Sequence, residues 1–124
     1  MTGAKPARVA VIGASGIGKH HARWWALCGA EVCAIAGSSR ASAARAKAGL
    51  EAQFDFRGQA YAGVDTMLRN ESPDIIDVCS PPSLHYEHAT AALNAGCHVL
   101  CEKPFVFDSK LSSEALMNQA RELV

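Results

Sequence analysis

Four short apolar runs dominate the pattern of hydrophobic and polar positions along the chain. None alternates cleanly between apolar and polar residues, and near-continuous apolar runs are typical of strands that are covered on both faces, as in a parallel sheet. A weaker fifth strand is predicted at residues 59–61. The four clear strands are predicted at residues 8–12, 32–36, 75–79 and 98–101.

Helical stretches separate these strands. Residues 42–48 are rich in alanine, the best helix former, and Asp108 is a candidate N-cap for a last helix with Leu111, Ala115 and Leu116 on one face. The other helices are predicted at residues 16–28, 64–69 and 84–95. Alternation of strand and helix predicts a doubly wound α/β fold of three layers, with parallel strands in the order 3-2-1-4-5. Ligands bind such sheets at the carboxyl ends of the strands, between strands 1 and 4.

Composition narrows the possible partners. A chain of 124 residues is expected to form one domain. Its formal net charge of zero argues against a broad electrostatic grip on nucleic acid or on an anionic membrane. Because zero charge also weakens repulsion between copies, we expect a homo-oligomer.

Five cysteines, none in CxxC spacing, are expected to be reduced and small buried hydrophobes rather than disulfides or metal ligands. Residues 1–6 contain no long apolar stretch, and no segment approaches the roughly 20 apolar residues of a membrane span. A cytoplasmic protein without a bound metal is therefore expected.

A glycine-rich turn follows the first strand. Such a turn lets the chain leave the strand sharply, approach a pyrophosphate and begin a helix whose free N–H groups face the anion. The turn departs from the usual GxGxxG motif, because Ser15 replaces the middle glycine. The serine side chain can crowd the phosphate, donate a hydrogen bond to it or cap the helix. A plain structural turn is the alternative. The candidate cofactor-binding residues here are Gly13, Ala14, Ser15, Gly16, Ile17 and Gly18.

The end of the second strand lacks the acidic residue that binds the ribose 2′-hydroxyl of NAD. Gly37, Ser38, Ser39 and Arg40 stand there instead, and hydroxyls with a guanidinium suit a 2′-phosphate. We therefore expect NADP(H) to be favoured over NAD(H), and Gly37→Asp to move the preference toward NAD. In the alternative, Ser38, Ser39 and Ser42 turn the chain and cap the next helix while Arg40 lies in solvent.

Two later segments carry a family resemblance. Residues 74–85 read DIIDVCSPPSLH and residues 95–104 read AGCHVLCEKP. With the glycine turn, and with His21 just after it, the chain resembles the Gfo/Idh/MocA oxidoreductases, whose members show D-x-V-x-I-x-T-P-x-x-x-H and A-G-K-H-V-x-x-E-K-P. The sequence departs from this pattern at Ser15, at Ser80 (usually threonine) and at Cys97 (often lysine).

The resemblance implies an NAD(P)-binding Rossmann domain and hydride transfer between a nicotinamide and a hydroxyl-bearing carbon of a sugar, polyol or related metabolite. It makes Lys103 the candidate catalytic residue, since an ammonium can polarise a carbonyl or join a proton relay; the alternative is a surface lysine beside a turn proline. Glu102 would hold Lys103 or the nicotinamide ribose, and Pro104 would shape the turn. The other candidate cofactor contacts are Ser80, Pro81, Pro82 and His85, although a structural hydrogen bond is favoured for His85.

Family members continue into an α+β domain that supplies most of the substrate pocket. We therefore expect residues 1–124 to be a single cofactor-binding domain that lacks the substrate domain. This domain is expected to bind the dinucleotide but not to turn over a substrate. A small-molecule substrate would then need a second domain or chain. A stand-alone module that senses NADP(H), or one half of a split enzyme, are the alternatives.

Overall fold

The computed structural model describes residues 4–124, so the expectation of no leader in residues 1–6 lies partly outside the described residues. Its strands are β1 (Arg8–Ile12), β2 (Glu31–Ala36), β3 (Gln59–Tyr61), β4 (Ile75–Val78) and β5 (His98–Cys101). They form one sheet in the order β3-β2-β1-β4-β5, with every pair parallel. This confirms the predicted order of the strands. The parallel pairing also agrees with the near-continuous apolar runs, which are typical of strands that helices cover on both faces.

The predicted helices are all present, at slightly different bounds. They are α1 (Ile17–Leu27), α2 (Arg40–Glu51), α3 (Val64–Glu71), α4 (His85–Asn94) and α5 (Ser113–Leu123), with a short 3-10 turn at Pro82–Leu84 before α4. Within residues 4–124, none of these helices has the length and apolar character needed to cross a bilayer.

The prediction that Asp108 caps the last helix is wrong. The Oδ1 of Asp108 accepts the N–H of Lys110 at 2.9 Å, and its carbonyl accepts the N–H of Leu111 at 3.0 Å. This side chain therefore closes a separate turn, and the helix begins after Ser112, whose Oγ accepts the N–H of Ala115 at 3.1 Å. Leu111 consequently lies outside α5 and is exposed rather than part of an apolar helix face.

Two apolar layers hold the helices against the sheet. On one face, α1 and α2 cover a cluster that includes Val11, Ile35 and Leu50, all fully buried. On the other face, α3 and α4 cover a cluster that includes Met67 and Ile76. The fold is therefore the predicted three-layer α/β/α arrangement. The apolar clusters lie between the sheet and the helices, so the loops at the carboxyl ends of the strands can form a binding site.

The loops that leave β1, β2 and β4 meet at one end of the sheet. The N–H of Gly13 donates to the carbonyl of Ala36 at 3.0 Å, and the N–H of Cys79 donates to the carbonyl of Ile12 at 2.8 Å. These bonds bring the glycine turn, the end of β2 and the loop after β4 side by side, where the sequence predicts the ligand.

All five cysteines are free thiols. Cys33 and Cys97 are buried, as expected for small hydrophobes, whereas Cys79 and Cys101 are half-buried and Cys28 is exposed at the end of α1. Burial raises the pKa of Cys33 and of Cys101 to about 11, so both remain protonated near neutral pH.

Candidate functional site

Close packing fixes the glycine turn. Gly13 has φ +84°, and a Cβ there would lie 2.8 Å from the carbonyl oxygen of Cys79 and 2.9 Å from the Cα of Ser80. A Cβ on Gly18 would collide with the carbonyl group of Gly13. Both positions therefore require glycine, because the loop after β4 and the first turn of α1 press against the turn itself.

The first turn of α1 has no side-chain cap. Gly16 is its N-cap residue, with no capping hydrogen bond from a side chain, so Ser15 does not cap the helix within the described part of the chain. A Cβ on Gly16 would have no atom within 4 Å. The start of α1 thus combines open space with uncapped N–H groups, the arrangement that binds an anion at a helix N-terminus.

A cleft of about 570 Å³ opens beside this turn. It contains seven of the predicted cofactor residues: Gly13, Ala14, Ser15, Gly37, Ser38, Ser80 and Pro81. It is completed by residues that were not predicted as cofactor contacts: Ile12, Ala36, Ser42, Ala46, Ala62, Gly63, Val64, Asp65, Leu84, Glu87, His88 and Ala91. The remaining predicted residues lie outside its lining: Gly16, Ile17, Gly18, Ser39, Arg40, Pro82, His85, Glu102, Lys103 and Pro104.

His88 is the main polar group of the cleft that sequence reasoning missed. Its Nδ1 lies 2.8 Å from the Oγ of Ser80, and burial lowers the pKa of His88 below its ordinary value. A neutral imidazole is therefore favoured near neutral pH. The signal was available, since His88 lies one helical turn after His85, directly behind the loop that contains Ser80.

The end of β2 is shaped by the start of α2. Ser39 is the N-cap, and its Oγ accepts the N–H of Ser42 at 3.1 Å while the Oγ of Ser42 accepts the N–H of Ser39 at 3.0 Å. The capping role that was the alternative for these two serines is therefore present. Ser38 lines the cleft, and Arg40 is exposed at the first position of α2 with no ion pair among residues 4–124.

Gly37 has no room for a side chain. A Cβ there would lie 2.7 Å from the Oγ of Ser42, 2.8 Å from the backbone nitrogen of Ala43 and 3.0 Å from its Cα. The serine hydroxyl can rotate away, but the backbone of α2 cannot. The expected Gly37→Asp switch is therefore a poor test of cofactor preference, because a carboxylate at this position has to displace α2.

The loop after β5 consists of Glu102, Lys103 and Pro104 and is called the 102–104 loop below. The Oε1 of Glu102 accepts the N–H of Lys103 at 3.0 Å, and its Oε2 lies 3.1 Å from the Nε2 of His21. The Lys103 N–H, followed by the nearby His21, lowers the pKa of Glu102 below its ordinary value. Lys103 itself is exposed, and the Lys103–Pro104 peptide bond is cis.

His85 ties the two late loops together. Its side chain is almost fully buried, with Nε2 2.7 Å from the carbonyl oxygen of Ser80 and Nδ1 2.7 Å from that of Pro104. This geometry matches the structural hydrogen bond that was favoured for His85, while its predicted cofactor contact stays a prediction. Both ring nitrogens already face protein acceptors.

A second polar cluster lies under α1. The carboxylate of Asp77 is fully buried on β4, and its Oδ2 lies 2.8 Å from the Nδ1 of His21 and accepts the Nε1–H of Trp25 at 2.8 Å. The thiol of Cys79 donates to its Oδ1 at 3.2 Å. Burial and the carboxylate of Asp77 raise the pKa of Cys79, so this thiol stays protonated and the cluster is closed by its own hydrogen bonds.

The strand order, the glycine turn into an uncapped helix and the cleft at the carboxyl ends together define a dinucleotide-binding Rossmann domain. The chain matches the model of the GFO_IDH_MocA family, an oxidoreductase family with an NAD-binding Rossmann fold, over residues 7–123. It belongs to this family, which confirms the resemblance seen in the sequence. The chain is the NAD-binding domain of an oxidoreductase of the Gfo/Idh/MocA type.

Its relatives include sugar and polyol dehydrogenases. D-glucoside 3-dehydrogenase of Escherichia coli is 38% identical over 122 residues, which are 95% of this chain and 32% of that protein. UDP-N-acetylglucosamine 3-dehydrogenase of Acidithiobacillus ferrooxidans is 33% identical over 93% of this chain and 34% of that protein. The structure of myo-inositol 2-dehydrogenase from Lactobacillus plantarum superposes with a TM-score of 0.74 at 27% identity, covering 96% of this chain and 33% of its own.

Proposed function

We propose that this domain binds NADP(H) in preference to NAD(H), and that it serves hydride transfer to or from a hydroxyl-bearing carbon of a sugar, a polyol or a related metabolite. Dinucleotide binding is supported above all by the start of α1 at Gly16, which has no side-chain cap and lies beside the 570 Å³ cleft. A pyrophosphate can accept the free N–H groups there, with the adenosine part directed into the cleft toward Ser38.

The preference for NADP(H) rests on the charges around the end of β2. No carboxylate stands at the tip of this strand, Ser38 faces the cleft, and Arg40 is exposed two residues further along the chain. The charged groups of the cleft lining itself, Asp65 and Glu87, are acidic, so they do not attract a 2′-phosphate. Arg40 is therefore the cation on which the preference depends.

Lys103 is proposed as the group that acts on the reacting oxygen. Its side chain is exposed and has no ion pair within residues 4–124, while its backbone is held by Glu102. An unpaired ammonium on a held backbone is available to a substrate oxygen, which it can polarise or protonate. Because the chain spans 32% of the E. coli relative, we propose that residues 4–124 bind cofactor without turnover.

Calorimetric titration with NADPH and with NADH tests the cofactor proposal. We expect tighter binding of NADPH, and we expect Arg40→Ala to remove about tenfold of this preference, the scale of one charged hydrogen bond. Arg45→Ala, an exposed arginine later in α2, is the matched control and should leave the preference unchanged. Tighter binding of NADH, or an unchanged preference in Arg40→Ala, would contradict it.

Ser38→Asp replaces Gly37→Asp as the converse experiment. Position 38 is exposed at the cleft, so a carboxylate fits there without moving α2. It should repel a 2′-phosphate and shift the preference toward NADH.

A further inference from the structure

His88 is a half-buried imidazole in the wall of the cleft, and the protein binds only one of its ring nitrogens. Its Nδ1 lies 2.8 Å from the Oγ of Ser80, whereas its Nε2 has no hydrogen-bond partner among residues 4–124. No buried side-chain nitrogen in this part of the chain lacks a partner, so the Nε2 is accessible. We propose that His88 is a specificity-determining residue of the cofactor site and that its Nε2–H donates a hydrogen bond to the adenine base. This inference rests on the proposed function and names the group that selects the base.

The two faces of the sheet contribute different charges around the cleft. On the face of α1, the uncapped N–H groups that follow Gly16 favour the pyrophosphate. On the face of α3 and α4, the lining includes the exposed carboxylates of Asp65 and Glu87. These carboxylates repel a phosphate and accept hydrogen bonds from an amine. The uncharged base, which carries an amine, is therefore the part of the cofactor that suits the wall of α3 and α4.

Apolar side chains flank His88 where the faces of a flat base can pack. Leu84 and Ala91 lie four residues before it and three residues after it, which is the spacing of one helix face. Val64, at the start of α3, completes this part of the lining, and all three side chains are half-buried. A ligand pocket of this kind binds by its apolar walls and selects by a few placed polar groups. His88 is the polar group placed among these walls.

The contact with Ser80 decides which ring nitrogen of His88 carries the proton. A neutral imidazole has one N–H and one bare nitrogen, and the neutral ring is favoured because burial lowers the pKa of His88. Ser80 is buried, and within the described residues its Oγ has no partner other than this Nδ1. The hydroxyl therefore donates to a bare Nδ1, because the reverse arrangement leaves the hydroxyl proton without an acceptor. The ring proton then lies on Nε2, the nitrogen that is free to bind a ligand.

A donor beside two acceptors matches adenine and opposes hypoxanthine, the purine that differs from it at one edge. The N1 of adenine accepts a hydrogen bond and its amine donates, so the Nε2–H of His88 suits N1 while the carboxylate of Asp65 or Glu87 suits the amine. In hypoxanthine, N1 carries a proton and a carbonyl oxygen replaces the amine. Both contacts are then lost, and a donor that faces a donor is left unpaired.

Nitrogen-15 NMR of the histidine side chains tests the tautomer in the chain without any cofactor. We expect His88 to carry one proton, on Nε2, and we expect its ring signals to shift when NADPH is added. Nicotinamide mononucleotide, which lacks the adenosine half, should leave these signals in place. A proton on Nδ1 in the free chain, or ring signals that ignore NADPH when it binds, would overturn the role of His88.

Calorimetric titration with NADPH and with its hypoxanthine analogue, which differs only in the base, tests the selection. We expect the unaltered chain to bind NADPH about tenfold more tightly, the scale of one hydrogen bond. His88→Leu removes the donor but keeps an apolar side chain, and it should bring the two affinities within about twofold of each other. His88→Gln should recover the binding of NADPH without the selection, because its amide can donate or accept. His98→Leu, at an exposed histidine of β5, is the matched control and should keep the selection.

The outcomes separate this inference from the proposed function. Equal affinity for the two dinucleotides in the unaltered chain would overturn the role of His88 and leave the proposed function standing. If neither dinucleotide binds, the proposed function fails and this inference fails with it. Selection that persists in His88→Leu would assign it to another group. Should His88→Leu fail to fold, Ser80→Ala tests the same contact, since it removes the group that directs the ring proton to Nε2 and should reduce the selection; full selection in that variant would overturn the inference.

Discussion

The glycine turn after β1 and the 102–104 loop after β5 leave the same end of the sheet, but different contacts hold them. At the turn, backbone atoms pack so closely against Gly13 and Gly18 that no side chain fits. At the loop, the contacts are polar and come from His21, His85 and the side chain of Glu102. The shape of the turn is therefore set by sterics and insensitive to charge, whereas the position of the loop depends on protonation. In the proposed function, the first region binds the cofactor and the second holds the lysine that acts on the reacting oxygen.

The largest effect is expected at the turn. Gly18→Ala places a methyl group against the carbonyl of Gly13, and overpacking of this kind should lower the free energy of unfolding by about 3 kcal/mol. Gly49→Ala is the matched control, because its Cβ would meet only the Cδ of Lys19 at 3.9 Å, and it should stabilise α2 by up to about 1 kcal/mol. Urea unfolding measures both. Equal stability of the two variants would contradict the steric account of the turn.

The next effect concerns the chemistry of the loop. In a chain joined to a suitable substrate domain, Lys103→Ala should lower kcat by about 10²-fold, the usual scale for a positioned acid or base. Cofactor affinity and melting temperature should change little, since the exposed side chain supports no packing. Steady-state kinetics and calorimetry measure these quantities. Lys110→Ala, an exposed lysine nearby, should turn over normally, and normal turnover in Lys103→Ala as well would refute the role.

A smaller effect is expected at an apolar surface that belongs to neither region. β5 is the outer strand of the described sheet, and Leu100 on it is 47% exposed in a groove that it shares with Trp24 of α1, which is 51% exposed. Exposed apolar patches and unpaired strand edges favour association, so we propose that copies of the chain associate here. Leu100→Lys should weaken self-association by roughly tenfold, the cost of leaving one leucine unburied. Light scattering over a concentration series measures it, and a chain that remains a monomer throughout would contradict it.

The smallest effect is expected from acid. Because the folded pKa of Glu102 lies below its ordinary value of 4.5, its contribution to loop order is present above pH 4.5 and is lost as the pH falls through the lowered value. The Lys103 amide signal should therefore hold its position down to about pH 4.5 and move below it. The amide of Gly13, held by packing, should not follow this transition. Glu102→Gln should abolish the transition at Lys103, and a transition that persists in this variant would assign it to another group.

The sequence predicted the fold better than the site, for physical reasons visible in particular residues. Near-continuous apolar runs mark strands buried on both faces, so the sheet order followed from strand and helix alternation alone. The start of α5 was misplaced because Asp108 and Ser112 are both good caps, and only the turn made by Asp108 decides between them. The local sequence shows which residues can cap a helix, but it does not show which of two suitable residues the chain uses.

The missed parts of the site are those that depend on distant packing. The cleft wall at residues 62–65 comes from the connection after β3 and from the start of α3, far from any motif. Gly37 was interpreted through its missing carboxylate, whereas the backbone of Ala43 excludes any side chain there. The contact between His21 and Glu102 joins residues that only the sheet order brings together.

The cysteines differ in burial, and this difference makes one of them a natural site for chemical labelling. Cys28 is exposed at the end of α1, while burial raises the pKa of the thiols of Cys33, Cys79, Cys97 and Cys101. Since the thiolate is the species that reacts, a maleimide dye at neutral pH should attach at Cys28 first. Cys28 borders the same apolar groove as Trp24 and Leu100, so a fluorophore placed there would report directly on whatever covers that surface, with no substitution in the chain.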